Sequence, residues 1–143
     1  MRETLFILLL LVSTRISAQL DLSWETLAEI EYSYVQNYEA NFWYGVPSFS
    51  ETVKGMEGKA VKIKGYVLPM DVSGEQYVLS AFPFASCFFC GGAGQESVIE
   101  LRLKDYNRTF QTDEYLEFSG IFKLNDAELE LNYILDKAQV LND

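Results

Sequence analysis

Apolar and polar residues alternate along five separate segments of this chain. These segments cover residues 59–69, 76–82, 97–103, 115–124 and 133–141. Alternation with a period of two is typical of a strand with one buried and one exposed face. Glycines interrupt two segments, Gly65 in the first and Gly120 in the fourth, where we expect a bend or a bulge. Five short strands bent at these places predict an all-β fold, a five-stranded OB-like Greek-key barrel with one short helix.

An aromatic-rich N-terminal extension precedes these five segments. Residues 27–35 alternate in part and favour a strand, with a short helix over 24–32 as the alternative. Serines begin a short amphipathic helix within residues 48–56. We expect the aromatic residues to cover one open end of the barrel and to contribute to its core. The alternative is a ligand platform that includes Trp43 and Tyr44, because aromatic faces stack on sugars, bases and peptide side chains.

The first 18 residues resemble a secretory signal peptide in their composition. Arg2 precedes the apolar run of residues 5–12, and the segment ends in the small residue Ala18. The run is much shorter than the roughly 20 apolar residues of a membrane-spanning helix. We therefore expect a signal peptide over residues 1–18, export to the periplasm or out of the cell, and a single domain over residues 19–143 without a membrane span.

The chain is acidic and contains no histidine. With 21 Asp and Glu against 11 Lys and Arg, its formal net charge is −10. A surface of this charge repels nucleic acid and anionic lipid, so we predict no nucleic-acid partner. The lack of histidine excludes Ser-His-Asp and Cys-His catalysis and histidine-ligated zinc or haem within this chain. Acidic residues near the fourth strand, such as Glu128 and Glu130, are interpreted as a solvated rim, and no residue is assigned a catalytic role.

The segment SCFFCGGAG, residues 86–94, contains both cysteines and follows the second predicted strand. The C-x-x-C spacing of Cys87 and Cys90 fits three chemistries. The leading hypothesis is a disulfide, because an exported protein folds in an oxidising compartment. Its ring is small, so the bond restricts the unfolded chain only modestly. Gly91 and Gly92 supply the backbone freedom that a tight loop needs.

A metal site is the second hypothesis for the cysteine pair. Zinc takes four ligands, which here would be Cys87 and Cys90 with carboxylates such as Asp71 and Glu96, or two cysteine pairs across a homodimer. Copper(I) accepts two thiolates alone. A single C-x-x-C is a weak zinc signal compared with two such motifs. We therefore expect no cofactor, with zinc or copper as the alternative.

A thiol–disulfide oxidoreductase is the third hypothesis. That chemistry needs a cysteine of lowered pKa, usually beside a helix N-terminus or a cation. The glycine-rich residues 91–94 do not favour a helix, and no lysine or arginine is near the pair in sequence. Covalent haem attachment requires a histidine directly after the second cysteine, but Gly91 occupies that position.

Segments spread along the chain resemble a family of small exported bacterial proteins with OB-like strand order. They are SWETL at residues 23–27, EGK at 57–59, KGYVLP at 64–69, ASCFFCG at 85–91 and ESV at 96–98. The resemblance spans nearly the whole chain after residue 18, and C-F-F-C-G is its most specific part. That family has no established activity, so the resemblance implies a fold and an exported location but no reaction. A broader family of domains of unknown function, with one cysteine before a proline-rich loop, is more distantly similar.

The sequence favours a non-enzymatic binding or interaction module of the bacterial cell envelope. Its partner would be an unknown envelope protein or a small ligand, and a homodimer is compatible with the sequence. The predicted binding surface surrounds the cysteine pair and includes Phe88, Phe89, Gly91, Gly92, Trp43 and Tyr44.

Overall fold

The structure is a computed structural model and describes residues 18–73 and 75–142. The predicted signal peptide, apart from Ala18, lies outside the described residues. In chain order the elements are β1 (Leu20–Asp21), α1 (Trp24–Leu27), β2 (Ile30–Asn37), β3 (Phe42–Phe49), α2 (Glu51–Lys54), β4 (Ala60–Pro69), β5 (Tyr77–Ser80), three one-turn 3-10 helices (Phe84–Ser86, Phe88–Cys90, Gln95–Ser97), β6 (Val98–Leu103), β7 (Tyr115–Leu124) and β8 (Tyr133–Asn142).

The strands β4 to β8 form a closed five-stranded barrel. Their order around the barrel is β4-β5-β6-β8-β7, and β7 pairs back with β4. β6 and β8 are parallel, whereas the other neighbours are antiparallel. The last strand thus lies between its two predecessors, as a Greek-key connection requires. The predicted all-β, five-stranded barrel is confirmed, and β1 adds a short parallel pairing at β4.

Both glycines that interrupt the strand pattern lie at irregular points of the barrel. β4 pairs with β7 over residues 60–66 and with β5 over 66–69, so Gly65 lies next to the point where the strand changes partner. The pairing of β7 with β8 shifts register around Gly120. A strand shared between two partners and a local bulge are the means by which a small sheet closes on itself.

Inward-facing side chains of the five strands fill the barrel. Along β4, Val61, Ile63 and Val67 are buried. Lys62 and Lys64 occupy the alternate positions and point outward. The largest fully buried side chains of the barrel are aromatic: Tyr77, Phe118, Phe122 and Tyr133. Burial of a large apolar side chain stabilises a fold by about 1.5–3 kcal/mol. The alternation that predicted the strands therefore also forms the core.

The aromatic extension forms a separate antiparallel hairpin of β2 and β3, here called the arm, over residues 30–49. At its base, Ile30 and Phe49 pack against the barrel core. Farther out, Tyr34, Tyr38 and Trp43 are 71%, 83% and 64% exposed. The expectation that this extension covers the barrel and supplies core therefore holds for the base of the arm only.

Two short helices flank the arm, where one short helix was predicted. The Oγ atoms of Ser23 and Ser50 accept hydrogen bonds from the amides of Thr26 and Val53, each at 3.2 Å. These serines are N-caps, which satisfy amides that the first helical turn leaves without a partner. The predicted strand over 27–35 begins too early, because the capped helix α1 extends to the fully buried Leu27.

Two tyrosine hydroxyls connect the barrel to the N-terminal elements. The hydroxyl of Tyr133 donates to the carbonyl oxygen of Leu27 at 2.7 Å, and that of Tyr32 donates to Oδ1 of Asn132 at 2.8 Å. Burial, followed by the charge of Glu96, raises the pKa of Tyr32 from 10.0 to about 12. Burial is also the largest cause that raises the pKa of Tyr133. Both phenols are therefore held neutral in the folded state.

These shifts predict a loss of stability in alkaline solution. The unfolded chain ionises Tyr32 near pH 10.0, whereas the folded protein does so at about 12, so the contribution is complete below pH 10.0 and is lost as the pH rises toward 12. Denaturant unfolding across this range measures it. We expect Tyr32→Phe to flatten the decline, and Tyr38→Phe, at an exposed position of the same arm, to leave it unchanged. Equal slopes in all three proteins would contradict this assignment.

Candidate ligand-binding site

The cysteine loop, defined as residues 81–97, connects β5 with β6. The amides of Cys90 and Gly92 both donate to the carbonyl oxygen of Cys87, at 3.2 and 3.1 Å. Gly91 has a φ of +74°, in the left-handed region that glycine adopts without strain. A Cβ atom at Gly92 would lie 2.6 Å from a backbone oxygen of the loop. The C-x-x-C segment is thus a tight turn, in which glycine avoids backbone strain at position 91 and a steric clash at position 92.

The two cysteines lie in different environments. Cys87 is fully buried and packs with Leu68 and Val78 in a small second core, against which Leu131 also packs. Cys90 lies at the surface. The loop is therefore anchored through Cys87, and Cys90 is the accessible member of the pair.

Both cysteines are free thiols in this structure, and their side chains share a hydrogen bond. The turn between them brings their Cα atoms within about 7 Å, close to the separations that a disulfide spans. Desolvation, followed by the hydrogen bond and charge of Cys87, raises the pKa of Cys90 above 9.0. A thiol of raised pKa is largely protonated at neutral pH and is a weak nucleophile. The raised pKa of Cys90 does not favour the activated thiolate that an oxidoreductase needs.

The proposed carboxylate ligands Asp71 and Glu96 interact with other groups in this structure. The carboxylate of Asp71 accepts hydrogen bonds from the Ser73 hydroxyl and from two amides of the following residues at 3.1 and 3.0 Å, so it holds its own turn. Glu96 lies near the phenols of Tyr32 and Tyr133. Burial is the largest cause that raises their pKa values, and the charge of Glu96 adds to it. Across residues 18–73 and 75–142, no group of three or more His, Cys, Asp and Glu is placed to hold a metal ion. The four-ligand set with Cys87 and Cys90 is not assembled, and a site of two thiolates stays a prediction.

Hydrogen bonds from other loops fix the cysteine loop in place. The amide of Phe84 donates to Oδ1 of Asp113, before β7, at 2.7 Å. The Nε2 atom of Gln95 donates to the carbonyl oxygen of Glu130, before β8, at 2.7 Å. Because the two bonds lie on either side of the cysteines, they hold the intervening segment against the barrel.

The cysteine loop and the arm form two sides of a cleft of about 380 Å³, here called the arm cleft. The arm contributes Trp43 and Tyr44, and the cysteine loop contributes Phe88 and Phe89. The rest of the lining comes from Gly45, Gln95, Ala127 and residues 129–132. The structure thus brings together four aromatic side chains from two distant segments that the sequence analysis had singled out. Gly91 and Gly92 shape the turn beside them and do not line the cleft.

A second cleft of about 600 Å³, here called the face cleft, lies over β5 and β6. Its walls include Met70 and Glu75 after the first barrel strand. It shares Phe89, Glu130 and Leu131 with the arm cleft, so the two clefts adjoin. In OB barrels the face of the second and third strands, with the loops after the first and fourth strands, is the usual ligand-binding surface. The face cleft occupies that position.

The charges around the face cleft are mostly negative. Its described lining holds Glu75, Glu100 and Glu130, with Arg102 as the basic residue. Nε of Arg102 pairs with Oε1 of Glu100 at 2.7 Å, and this hydrogen bond is the largest cause that raises the pKa of Arg102. The lining therefore differs from the positive groove with which an OB face binds single-stranded nucleic acid.

Sequence reasoning missed the cleft residues that lie outside the cysteine loop and the arm. Met70, Tyr106 and Leu131 were not singled out, and Glu130 was assigned to a solvated rim. The position of residues 125–132, between the fourth and fifth barrel strands, was the available signal, because this loop borders the binding face in OB barrels.

The described part of the chain contains no helix with the length and apolarity to cross a membrane. No protein-family model matches the sequence, and no curated protein matches it significantly. The fold is similar to the crystal structure of a DUF3299 family protein from Pseudomonas aeruginosa PAO1, with a TM-score of 0.53 and 16% sequence identity. The likeness covers 88% of this chain and 98% of that chain. At this identity the likeness shows a shared fold alone, and it does not extend to the C-F-F-C-G motif.

Proposed function

We propose that this protein is an exported, non-enzymatic binding module of the cell envelope, whose ligand occupies the arm cleft and the face cleft. The observation that carries the proposal is the junction of the two clefts at Phe89, Glu130 and Leu131. Aromatic side chains remain exposed around this junction: Trp43 is 64%, Phe89 is 42% and Tyr106 is 63% exposed. Large exposed aromatic rings in a concave surface are typical of sites that a ligand covers.

In this proposal the cysteine pair acts as a clasp that stabilises one wall of the arm cleft. Phe88 and Phe89 are the two residues between Cys87 and Cys90, and their rings lie edge to face at 5.2 Å. A disulfide between the cysteines would close the backbone directly beneath both rings. Holding side chains in their binding positions reduces the entropy lost when a ligand binds. The disulfide is thus proposed as a device that preorganises the cleft wall.

Intrinsic fluorescence tests the binding role, because the chain has two tryptophans and one lies in the arm cleft. Trp24 is half-buried, and its indole nitrogen donates to the carbonyl oxygen of Lys64 at 2.8 Å. In a Trp24→Phe variant, Trp43 is the single emitter. We expect the small-molecule or protein fractions of an envelope extract to shift its emission in a saturable manner.

The matched control is Trp43→Phe, which keeps Trp24 as the emitter outside the cleft. Its emission should not respond to the same fractions. A response of Trp24 equal to that of Trp43 would indicate nonspecific association, and silence of Trp43 toward every fraction would count against the proposed role.

A further inference from the structure

We propose that the ligand of the arm cleft is an organic cation, whose alkylammonium group lies against the aromatic wall beside Glu130. This inference rests on the binding role proposed above and specifies the chemical class of the ligand. It follows from three features of the cleft: its aromatic faces, the sign of its charge, and its size.

Aromatic rings converge on the arm cleft from two sides. Trp43 and Tyr44 line it from the arm, and Phe88 and Phe89 line it from the cysteine loop. The face of an aromatic ring carries partial negative charge and attracts a cation, most strongly for tryptophan. Sites that enclose quaternary ammonium groups in proteins combine several such rings. Trp43, whose ring attracts a cation most strongly, is also the most exposed of the four rings that line this cleft.

The charge of the cleft has the complementary sign. Among its described lining residues Glu130 is the charged side chain, and neither lysine nor arginine occurs. Neutral amides hold Glu130 in place: Nδ2 of Asn125 donates to its Oε2 at 2.8 Å, and Gln95 binds its backbone oxygen. Glu128, in the same segment, accepts a hydrogen bond from Nδ2 of Asn37 at 3.1 Å. Neutral donors bind both carboxylates directly. The pKa of Arg102, in the face cleft, is raised first by its hydrogen bond to Glu100 and also by the charge of Glu130. A cationic ligand in the arm cleft would therefore share the charge of Glu130 with Arg102.

The size of the site suits a small ammonium group attached to a larger body. The arm cleft, of about 380 Å³, exceeds the volume that a trimethylammonium group fills. It continues past Phe89 and Leu131 into the face cleft, where Arg102 is already paired with Glu100. A cation in the arm cleft therefore has room to place the remainder of the ligand over β5 and β6.

Choline and its uncharged isostere 3,3-dimethylbutan-1-ol test the inference in the Trp24→Phe background, with Trp43 fluorescence as the readout. The two probes share shape and differ in charge. We expect choline to change the emission saturably and to bind about tenfold more tightly than the alcohol, because a cation–aromatic contact with a nearby carboxylate contributes about 1–2 kcal/mol.

Glu130→Gln separates the charge from the shape of the cleft. We expect it to weaken choline binding about fivefold and to leave the alcohol unaffected. Glu51→Gln, which makes the same charge change on α2 outside both clefts, should leave choline binding unchanged. Equal affinity for the two probes overturns the cation inference but leaves the binding role standing. No response to either probe also overturns the inference, and the binding role is then decided by the envelope fractions.

Discussion

Replacing Gly65 by alanine is expected to lower the free energy of unfolding by about 3 kcal/mol. A Cβ atom at this position would lie 2.6 Å from the carbonyl oxygen of Ser80 and 3.0 Å from side-chain atoms of Leu79 and Trp24. The oxygen belongs to the neighbouring strand β5, so it cannot move away without opening the barrel next to the point where β4 changes partner. Denaturant unfolding followed by circular dichroism measures the loss.

Gly58→Ala is the matched control for this prediction. Gly58 has a φ of +74°, and an added Cβ would meet nothing within 4 Å. Its substitution therefore carries only the backbone strain of the left-handed region, about 1 kcal/mol. If Gly65→Ala were no more destabilising than Gly58→Ala, the close strand approach would not be what requires glycine in β4.

Replacing Cys87 by serine is expected to lower the free energy of unfolding by about 4 kcal/mol in the oxidised protein. About 2 kcal/mol is the entropy that a four-residue disulfide ring removes from the unfolded chain. A further 2 kcal/mol or so comes from a hydroxyl in the small second core, where Cys87 packs with Leu68 and Val78. Cys90→Ser, at the surface, should lose only the first contribution.

A reductant distinguishes the two contributions. Under dithiothreitol the wild-type protein should fall to the stability of Cys90→Ser, whereas Cys87→Ser should not change and should stay the least stable of the three. Should Cys90→Ser match the wild-type protein with and without reductant, the pair would not be a disulfide clasp.

The barrel was predictable because each of its strands carries its own local pattern. The segment 59–69 corresponds to β4 at Ala60–Pro69, and the segment 133–141 corresponds to β8 at Tyr133–Asn142. One face of each strand contacts the core and the other contacts solvent, so burial determines the alternation directly. The glycines in β4 and β7 indicated that the sheet closes into a barrel, because glycine is needed where the backbones of neighbouring strands approach closely.

The arm was not predicted as a hairpin, because its second strand contradicts strand propensities. β3 contains Gly45 and Pro47, which are uncommon within sheets. They are tolerated because, among the described strands, β3 pairs only with β2, so its other edge forms no ladder. The turn offered one signal, since Asn41 has a φ of +54°, a conformation that asparagine adopts more readily than most residues.

The clefts depend on tertiary contacts that no local pattern contains. The arm cleft joins residues 43–45, 88–89, 95, 127 and 129–132, which come from three distant parts of the chain. Sequence reasoning identified the aromatic members by their residue type, yet it did not indicate that they line one cleft together with Glu130 and Leu131. That arrangement is held by hydrogen bonds such as Tyr32 to Asn132 and Gln95 to Glu130, which join segments that are distant in sequence.

Native mass spectrometry of the protein recovered from the envelope of expressing bacteria tests the central claim, that the joined clefts bind a ligand. A Trp43→Ala, Phe89→Ala variant, purified in parallel, serves as the comparison, since both side chains are exposed and their loss should not unfold the barrel. We expect the wild-type protein to carry an additional mass that the variant lacks. A wild-type protein without any additional mass, or the same adduct on both proteins, would contradict the account.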